Sequence, residues 1–583
     1  MLPLFPSLLT LLLYPALAFA SPQFNSSSEE TFSETLTIRP LSDGKVNARF
    51  EFVTLINQTS SNGHSTLAPA FILSLLKKHE AQAFELVLTA GVWDHSRWGY
   101  PLSEAGGTGA ELWAWMGVSA KSDSRHEALT QSLSGLFCAS LGQSLTNGFT
   151  TRPHIPHLTS ESGSIPYHTT SPPSGLCTEN LTPFVKLLPS KGHSGISGLL
   201  KSHRVLAGNW HSMSVKASLM GGLSDVARFG PSIEHIEIRM GFEIVWDLIG
   251  RNRGNELRDL SFQKIFHASL PSSFPPVSSS ELILHLPSGV DDKDYTILPH
   301  GFQRVAEHGV DSVRWDLKSA DGTFDIEFRY NDASEFVFPS TYKPPPLSIE
   351  RSVLGATQIE GAFRITIANN LDEQKEVFLL EEWPWWVGGW LGERTITLDG
   401  VPKQDILRSI SYTPSIPHDQ PTTLVSHLIL PPQTTIEINS PFIKQFLQYN
   451  EHLPDASRGF ELCAAILFPS KPPRLPSLLP SWESPPSPTR IYTGNVLIDL
   501  ATPDFSMPYN VIIMSCTLLA LLFGSVFNIL TRKLVAIDSE HPLLNPSTLD
   551  LSDPTTKLEN SKEKGAPFSH STNKLKEDVQ STL

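Results

Sequence analysis

The stretch Leu36-Thr37-Ile38-Arg39-Pro40-Leu41-Ser42-Asp43-Gly44-Lys45-Val46-Asn47-Ala48-Arg49-Phe50-Glu51-Phe52 decides the fold. Leu36 and Ile38 alternate with polar neighbours. After Asp43-Gly44, the residues Val46, Ala48, Phe50 and Phe52 fall on one face, and Arg49 and Glu51 on the other. A period of two places one set of side chains on one side of a strand, and Asp-Gly accepts the positive φ of a tight turn. The stretch therefore reads as a β-hairpin with one buried face. The signal recurs. Val313, Trp315 and Leu317 precede Asp321-Gly322, with Phe324, Ile326, Phe328 and Tyr330 after it, and Thr395-Ile396-Thr397-Leu398 precedes Asp399-Gly400. Repeated hairpins predict antiparallel sheets packed as sandwiches. The fold class expected is mainly β with a few helices: two antiparallel β-sandwich-like domains and one C-terminal transmembrane helix.

Between the hairpins, Leu67, Phe71 and Leu75 recur every fourth residue, which predicts a helix from Ser65 to Ala83 with Ser65 as N-cap. Phe84 to Leu88 reads as a strand, and Arg125 to Phe137 as a second helix. Residues 150–173 lack periodicity and are rich in Pro, Ser and Thr, so they read as a surface loop. Trp113 and Trp115, two apart, are expected on one face of an extended segment. The aromatic groups Trp93 to Trp98 and Trp383-Pro384-Trp385-Trp386 are expected in the core, with a carbohydrate platform or partner interface as the alternative.

Near the C-terminus an uncharged apolar run extends from Tyr509 to Leu530 and is followed by Arg532 and Lys533. A helix needs ~20 apolar residues to cross a bilayer, and the basic residues after the run favour a cytoplasmic C-terminus. At the other end, Leu8 to Leu13 followed by Ala18-Phe19-Ala20 reads as a cleaved signal peptide. The expected organisation is a signal peptide at 1–20, an N-terminal lumenal β-rich domain with helices at 21–270, and a second lumenal β-sandwich at 271–507. A transmembrane helix at 508–530 and a disordered cytoplasmic tail at 531–583 complete it. The domain boundary is placed in Ser272 to Ser280. A GPI-anchored precursor would end in its hydrophobic tail, whereas the polar residues from Thr531 to Leu583 follow this one.

The net charge of −15 excludes a basic footprint for nucleic acid. Prolines outnumber glycines, 47 to 37, which suits β-structure with irregular connections. Catalytic motifs are incomplete: His79-Glu80 and His126-Glu127 lack the second histidine of a zinc-protease helix, and no G-x-S-x-G elbow occurs. Gly106-Gly107-Thr108-Gly109 lacks the Lys-Ser/Thr of a phosphate loop and reads as a turn. No catalytic, metal or cofactor residue is expected. Sequons stand at Asn25, Asn57 and Asn180.

Of the cysteines Cys138, Cys177, Cys463 and Cys516, the last lies in the apolar run. Three remain for an oxidising compartment, so one is free or bonded to another protein. Whether Cys138 pairs with Cys463 is left open.

The residues then carry a resemblance. Thr502-Pro503-Asp504-Phe505-Ser506-Met507-Pro508-Tyr509-Asn510-Val511-Ile512, Cys177-Thr178-Glu179-Asn180-Leu181-Thr182-Pro183 and Pro454-Asp455-Ala456-Ser457-Arg458-Gly459-Phe460 resemble the PIG-T family, a subunit of GPI transamidase. So do the Phe32 to Phe52 hairpin, Trp93 to Trp98, and Glu111-Leu112-Trp113-Ala114-Trp115. The resemblance implies a non-catalytic scaffold in the endoplasmic reticulum membrane, single-pass type I. Its partners would be a caspase-like catalytic subunit, bonded by a disulfide at Cys177, and the other membrane subunits. Contact with GPI lipid and precursor proteins would be indirect. The chain departs from the family pattern at Ser190, where the family often has a cysteine, so an intrachain bridge of relatives is expected to be absent. Asn528, an amide at the edge of the apolar run, is a candidate contact for a neighbouring helix or a lipid headgroup. A cell-surface adhesion protein or receptor of the same topology is the alternative reading, and a lumenal hydrolase a weaker one.

Overall fold

The computed structural model describes residues 30–57, 67–103, 106–141, 149–156, 158, 164–171, 175–220, 235–248, 259–286, 294–307, 310–318, 324–331, 342, 344–355, 357–448, 451–452, 458–470, 490–502 and 506–533. The signal-peptide residues, Asn25, the Asp321-Gly322 turn and nearly all of the predicted tail lie outside them. The chain forms two compact units, Met1–Pro503 and Asp504–Leu583.

The first unit opens with the predicted hairpin, β1 (Glu30–Pro40) and β2 (Val46–Asn57). Next come β3 (Ala81–Ala90), β4 (Gly109–Gly117), β5 (Thr150–Thr151), β6 (Ser164–Ser171), β7 (Trp210–Met220) and β8 (His235–Trp246). Then follow β9 (Leu260–Ser261), β10 (Ser279–His285), β11 (Tyr295–Leu298), β12 (Gln303–Glu307), β13 (Val310–Asp316) and β14 (Glu327–Tyr330). Eleven of these form one sheet in the order β12-β13-β10-β1-β2-β8-β7-β3-β4-β6-β5, while β11-β14-β9 make a small second sheet. In the hairpin Leu36 pairs with Phe50 and Ile38 with Ala48, and all four are fully buried. Gly44 supplies the positive φ in the loop.

The short helices are α1 (Ala70–His79), α2 (His95–Trp98), α3 (Ser122–Phe137), α4 (Thr178–Leu187), α5 (Ser202–Val205) and α6 (Phe262–Phe266). All but α2 lie over the face that Leu36 and Phe50 line, and Trp98 of α2 packs with Trp210 and Val245 on the other. Except for α2, they share one apolar cluster with the sheet, to which Ile72, Leu133, Phe184, Val205 and Phe266 contribute. Burying such side chains contributes about 1.5–3 kcal/mol each, enough to hold helices too short to persist alone.

The remaining strands are β15 (Leu347–Leu354), β16 (Glu360–Asn369), β17 (Lys375–Trp383), β18 (Val387–Gly389), β19 (Thr395–Leu398), β20 (Val401–Pro402) and β21 (Leu407–Thr413). They continue with β22 (Thr422–Leu430), β23 (Thr434–Lys444), β24 (Phe460–Leu462), β25 (Ile466–Pro469), β26 (Ile491–Tyr492) and β27 (Val496–Ile498). Sheets β15-β16-β23-β19-β20 and β21-β22-β17-β25-β26 bury Ile365, Ile367 and Ile438 against Val377, Leu379 and Leu428. This is the expected sandwich. The Asp399-Gly400 hairpin joins β19 to β20, both turn residues having positive φ.

Several expectations are corrected. The first helix begins at Ala70, after Pro69 as N-cap, and ends at His79. It buries Ile72, Leu75, Leu76 and His79 rather than the Leu67/Phe71 stripe. Phe324 to Tyr330 does not fold back on β13, because β14 pairs with β11 and β9. The expected boundary at Ser272 to Ser280 does not coincide with a change of sheet: β10 runs parallel to β1, Leu36 opposite Leu282. The large sheet is thus not wholly antiparallel. Residues 164–171, expected in a loop, form β6, mostly buried and paired with β4. Their polar side chains carry no apolar period because they bury hydrogen-bonding groups instead of hydrocarbon.

The second unit's described part is one helix, α7 (Ser506–Thr531). Tyr509–Thr531 is long and apolar enough for a single span. Asn528 lies in its last turn, with Arg532 N–H donating to its carbonyl.

Candidate functional site

Two exposed cysteines meet where α3 ends and α4 begins. Cys138 is the C-cap of α3, with φ 51°, and Cys177 is the N-cap of α4 in extended conformation. One side chain fastens the two caps. Asn180 accepts from the Cys177 N–H through Oδ1 at 2.8 Å, and its Nδ2 donates to the carbonyls of Phe137 at 2.6 Å and Cys138 at 3.3 Å. Both helix ends leave backbone groups unpaired, and this amide serves both. Phe184, one turn on, packs edge-to-face on Phe242 of β8, ring centroids 6.0 Å apart. The platform is therefore tied to the sheet.

The two thiols differ. Cys138 Sγ donates to Glu179 Oε2 at 3.4 Å, and the carboxylate beside it pushes the Cys138 thiol up. A thiol held protonated is a poor nucleophile, since disulfides form through the thiolate. Glu179 sits in the first turn of α4, directly after Thr178. Cys463 is elsewhere: burial pushes its thiol up to about 12, and Arg351 donates to its carbonyl. Cys138 and Cys463 are both unbridged.

The sequon at Asn180 is corrected by this geometry. The nitrogen that would carry a glycan is buried and donates to two carbonyls. Asn57 ends β2, its backbone opposite His235. Ser190 is also buried, its Oγ 2.7 Å from Ser197 Oγ, so a hydrogen bond closes that loop. Asn528 belongs to the other unit.

Sequence reasoning missed a second polar centre, on the opposite face of the large sheet. His168 of β6 lies between two carboxylates, Nε2 3.0 Å from Glu111 on β4 and Nδ1 2.8 Å from Glu382 on β17. Burial alone would lower its pKa, but Glu382 first and then Glu111 outweigh it and push His168 up to about 9. The imidazolium in turn holds Glu111 below the usual carboxylate range. Trp113 stacks on His168 at 4.1 Å and donates to Glu111 at 2.6 Å. Tyr492 donates to Glu111 at 3.1 Å, and Arg490 pairs with Glu85. Around it Trp113, Phe378, Leu380 and Phe468 form a shared apolar cluster. The sandwich is therefore clamped to the sheet by buried charge inside an apolar rim. Among the described residues no His/Cys/Asp/Glu group has metal-holding geometry. The one sequence signal was Trp113 beside Glu111 in an alternating strand.

Of the aromatic groups expected in the core, Trp93, Trp98 and Trp385 are only half-buried. Trp383 and Trp386 are buried in the sandwich, and Trp93 packs edge-on against Trp98 and Trp210.

The chain matches the family described as "Gpi16 subunit, GPI transamidase component" over residues 16–256 and 252–550. It is 28% identical to the GPI transamidase component GPI16 of Saccharomyces cerevisiae, over 88% of this chain and 90% of that protein. The PIG-T homolog of Schizosaccharomyces pombe is 29% identical over 93% of this chain and 96% of its own length. The human GPI-anchor transamidase component PIGT is 29% identical over 86% and 90%.

Proposed function

The chain belongs to the Gpi16 family of GPI transamidase components, and from that premise we propose that it is the non-catalytic scaffold subunit of the complex. In this reading it holds a caspase-like catalytic subunit through an interchain disulfide at Cys177 and assembles the other membrane subunits around itself. The catalytic cysteine would belong to the partner. Most of the chain would stand in the lumen of the endoplasmic reticulum, anchored by α7, with Asn57 and Asn25 as glycan acceptors.

The observation that supports it is the asymmetry of the two thiols. Cys177 is exposed on a cap held by Asn180, whereas Cys138 is occupied by Glu179. A fixed, exposed thiol suits a permanent link, because little side-chain freedom is lost when the partner bonds.

Non-reducing electrophoresis of membrane extracts tests it. The wild type and Cys138→Ser should give a heavier band containing a cysteine protease subunit. Cys177→Ser should lose that band, as should reduction. Retention of the band in Cys177→Ser would sink the assignment. For Asn528, the proposal is a contact with a neighbouring subunit's helix, since an amide near hydrocarbon gains from a partner. Asn528→Leu should lower recovery of the membrane subunits on affinity purification, and unchanged assembly and GPI attachment would remove the idea.

A further inference from the structure

One end of the sandwich carries apolar side chains that the core does not use. Along β23 buried and outward residues alternate, and at its end Ile443 faces out. Ile443 pairs with Glu360 on one side and Gly388 on the other. Ile359 adjoins it, its carbonyl accepting from Lys444 N–H at 2.7 Å, and Trp390 N–H donates to Pro441 at 2.9 Å. A Cβ on Gly389 would lie 2.1 Å from the Trp383 ring, so β18 lies against that ring as only glycine permits. Ile359 is 59% exposed, Trp390 52%, Ile443 38% and Phe446 77%. Single apolar residues on a surface need no explanation, whereas a group at one place marks an interaction site.

The same end is where the chain leaves the sandwich. Lys444 Nζ donates to the carbonyls of Asp499 at 2.6 Å and Thr357 at 2.5 Å. Leu500 shares an apolar cluster with Trp386, Val387 and Phe442, against which Leu447 packs. Residues 503–508 separate Thr502 from Tyr509, where the span begins. A chain of that length reaches at most about 25 Å, and the headgroup layer itself is ~5–8 Å deep. The patch is thus on a short leash from a bilayer, and tryptophan favours that boundary because its ring is apolar while its N–H stays hydrated.

We propose that Ile359, Trp390, Ile443 and Phe446 seat this end of the sandwich in the headgroup layer of a phospholipid bilayer. This seating rests on α7 spanning the membrane and not on the scaffold reading or the Cys177 link.

The test uses the full chain in phosphatidylcholine nanodiscs, with acyl chains brominated near the headgroup. Trp390→Phe isolates one of the twelve tryptophans. The wild type should show a bromine-quenched component that Trp390→Phe lacks and that aqueous iodide does not reach. Phe446→Ser, at an exposed position, should lower that component at least twofold. Equal bromine quenching in wild type and Trp390→Phe would overturn the proposal, as would ready quenching of Trp390 by iodide. If Trp390 is shielded from iodide only in the assembled complex, the patch belongs to a protein partner and the lipid assignment is wrong. Failure of the chain to enter nanodiscs would overturn the span reading and this proposal together, while leaving the Cys177 cross-link to its own assay.

Discussion

The two faces of the eleven-stranded sheet are covered by opposite chemistry. One face is sealed by short helices through Leu, Ile and Phe, and its outer surface presents Cys138 and Cys177. The other face holds a run of charges across the strands. Arg239 bridges Glu51 and Glu237, Glu85 takes Lys216 and Arg490, and His168 joins Glu111 to Glu382. The apolar face tolerates small adjustments because burial has no direction. The charged face does not, since each buried ion needs its partner at hydrogen-bond distance. The first can display a reactive group at its surface. The second fixes how the sandwich sits on the sheet.

The largest effect should come from breaking the charged face. His168→Leu leaves Glu111 and Glu382 buried without their cation and should cost about 3–5 kcal/mol, visible as a lowered Tm of the purified protein. The same group gives a pH signature. Its folded pKa of about 9 lies above the ordinary 6.5, so the stabilisation is complete below about pH 6.5 and disappears as pH rises through about 9. The swing is on the order of 3 kcal/mol. Glu34, which burial pushes up to about 7, adds a loss in the same direction at lower pH, so Glu34→Gln is the background in which to read it. A Tm that does not fall between pH 6.5 and 9.5 in that background would mean His168 is not the clamp's cation.

Asn180→Ala should cost less, about 1–2 kcal/mol, by leaving helix-end groups unpaired. It should also slow formation of the interchain disulfide on non-reducing gels, because the two caps lose their common fastener. An unaltered rate would separate the cap geometry from the linkage. Smallest in stability is Cys177→Ser, expected within about 0.5 kcal/mol as for other exposed positions, although under the proposed function it would remove the covalent link altogether. A large fall in Tm from that substitution would make Cys177 a structural residue and erase the contrast between the faces.

Much of the apolar face was legible. The hairpin at 36–52 alternates over enough residues to fix both strands and their buried side, and the second helix was found within three residues at its start. The first helix was misplaced because its apolar residues fit two stripes, and only packing in the shared cluster with α3 and the sheet selects Ile72, Leu75 and Leu76. The charged face was not legible. Residues 164–171 read as loop because Ser, Thr and His give no period, yet His168, Tyr167 and Thr169 each meet a polar partner on another element that makes burial tolerable.

The sequence alone determined the β class, the C-terminal apolar helix and, through its motifs, the family. These are properties of local period, length and residue identity, which survive without knowing what lies alongside. Only the tertiary structure decided that Cys138 and not Cys463 stands beside Cys177, that the Asn180 amide is buried in a helix-cap contact, and that a histidine clamps sandwich to sheet. Those depend on groups brought together across long separations, Glu111 with His168 at 57 residues and Glu85 with Arg490 at 405. Whether a polar side chain is buried or exposed is set by the partner it meets, and no local pattern names that partner.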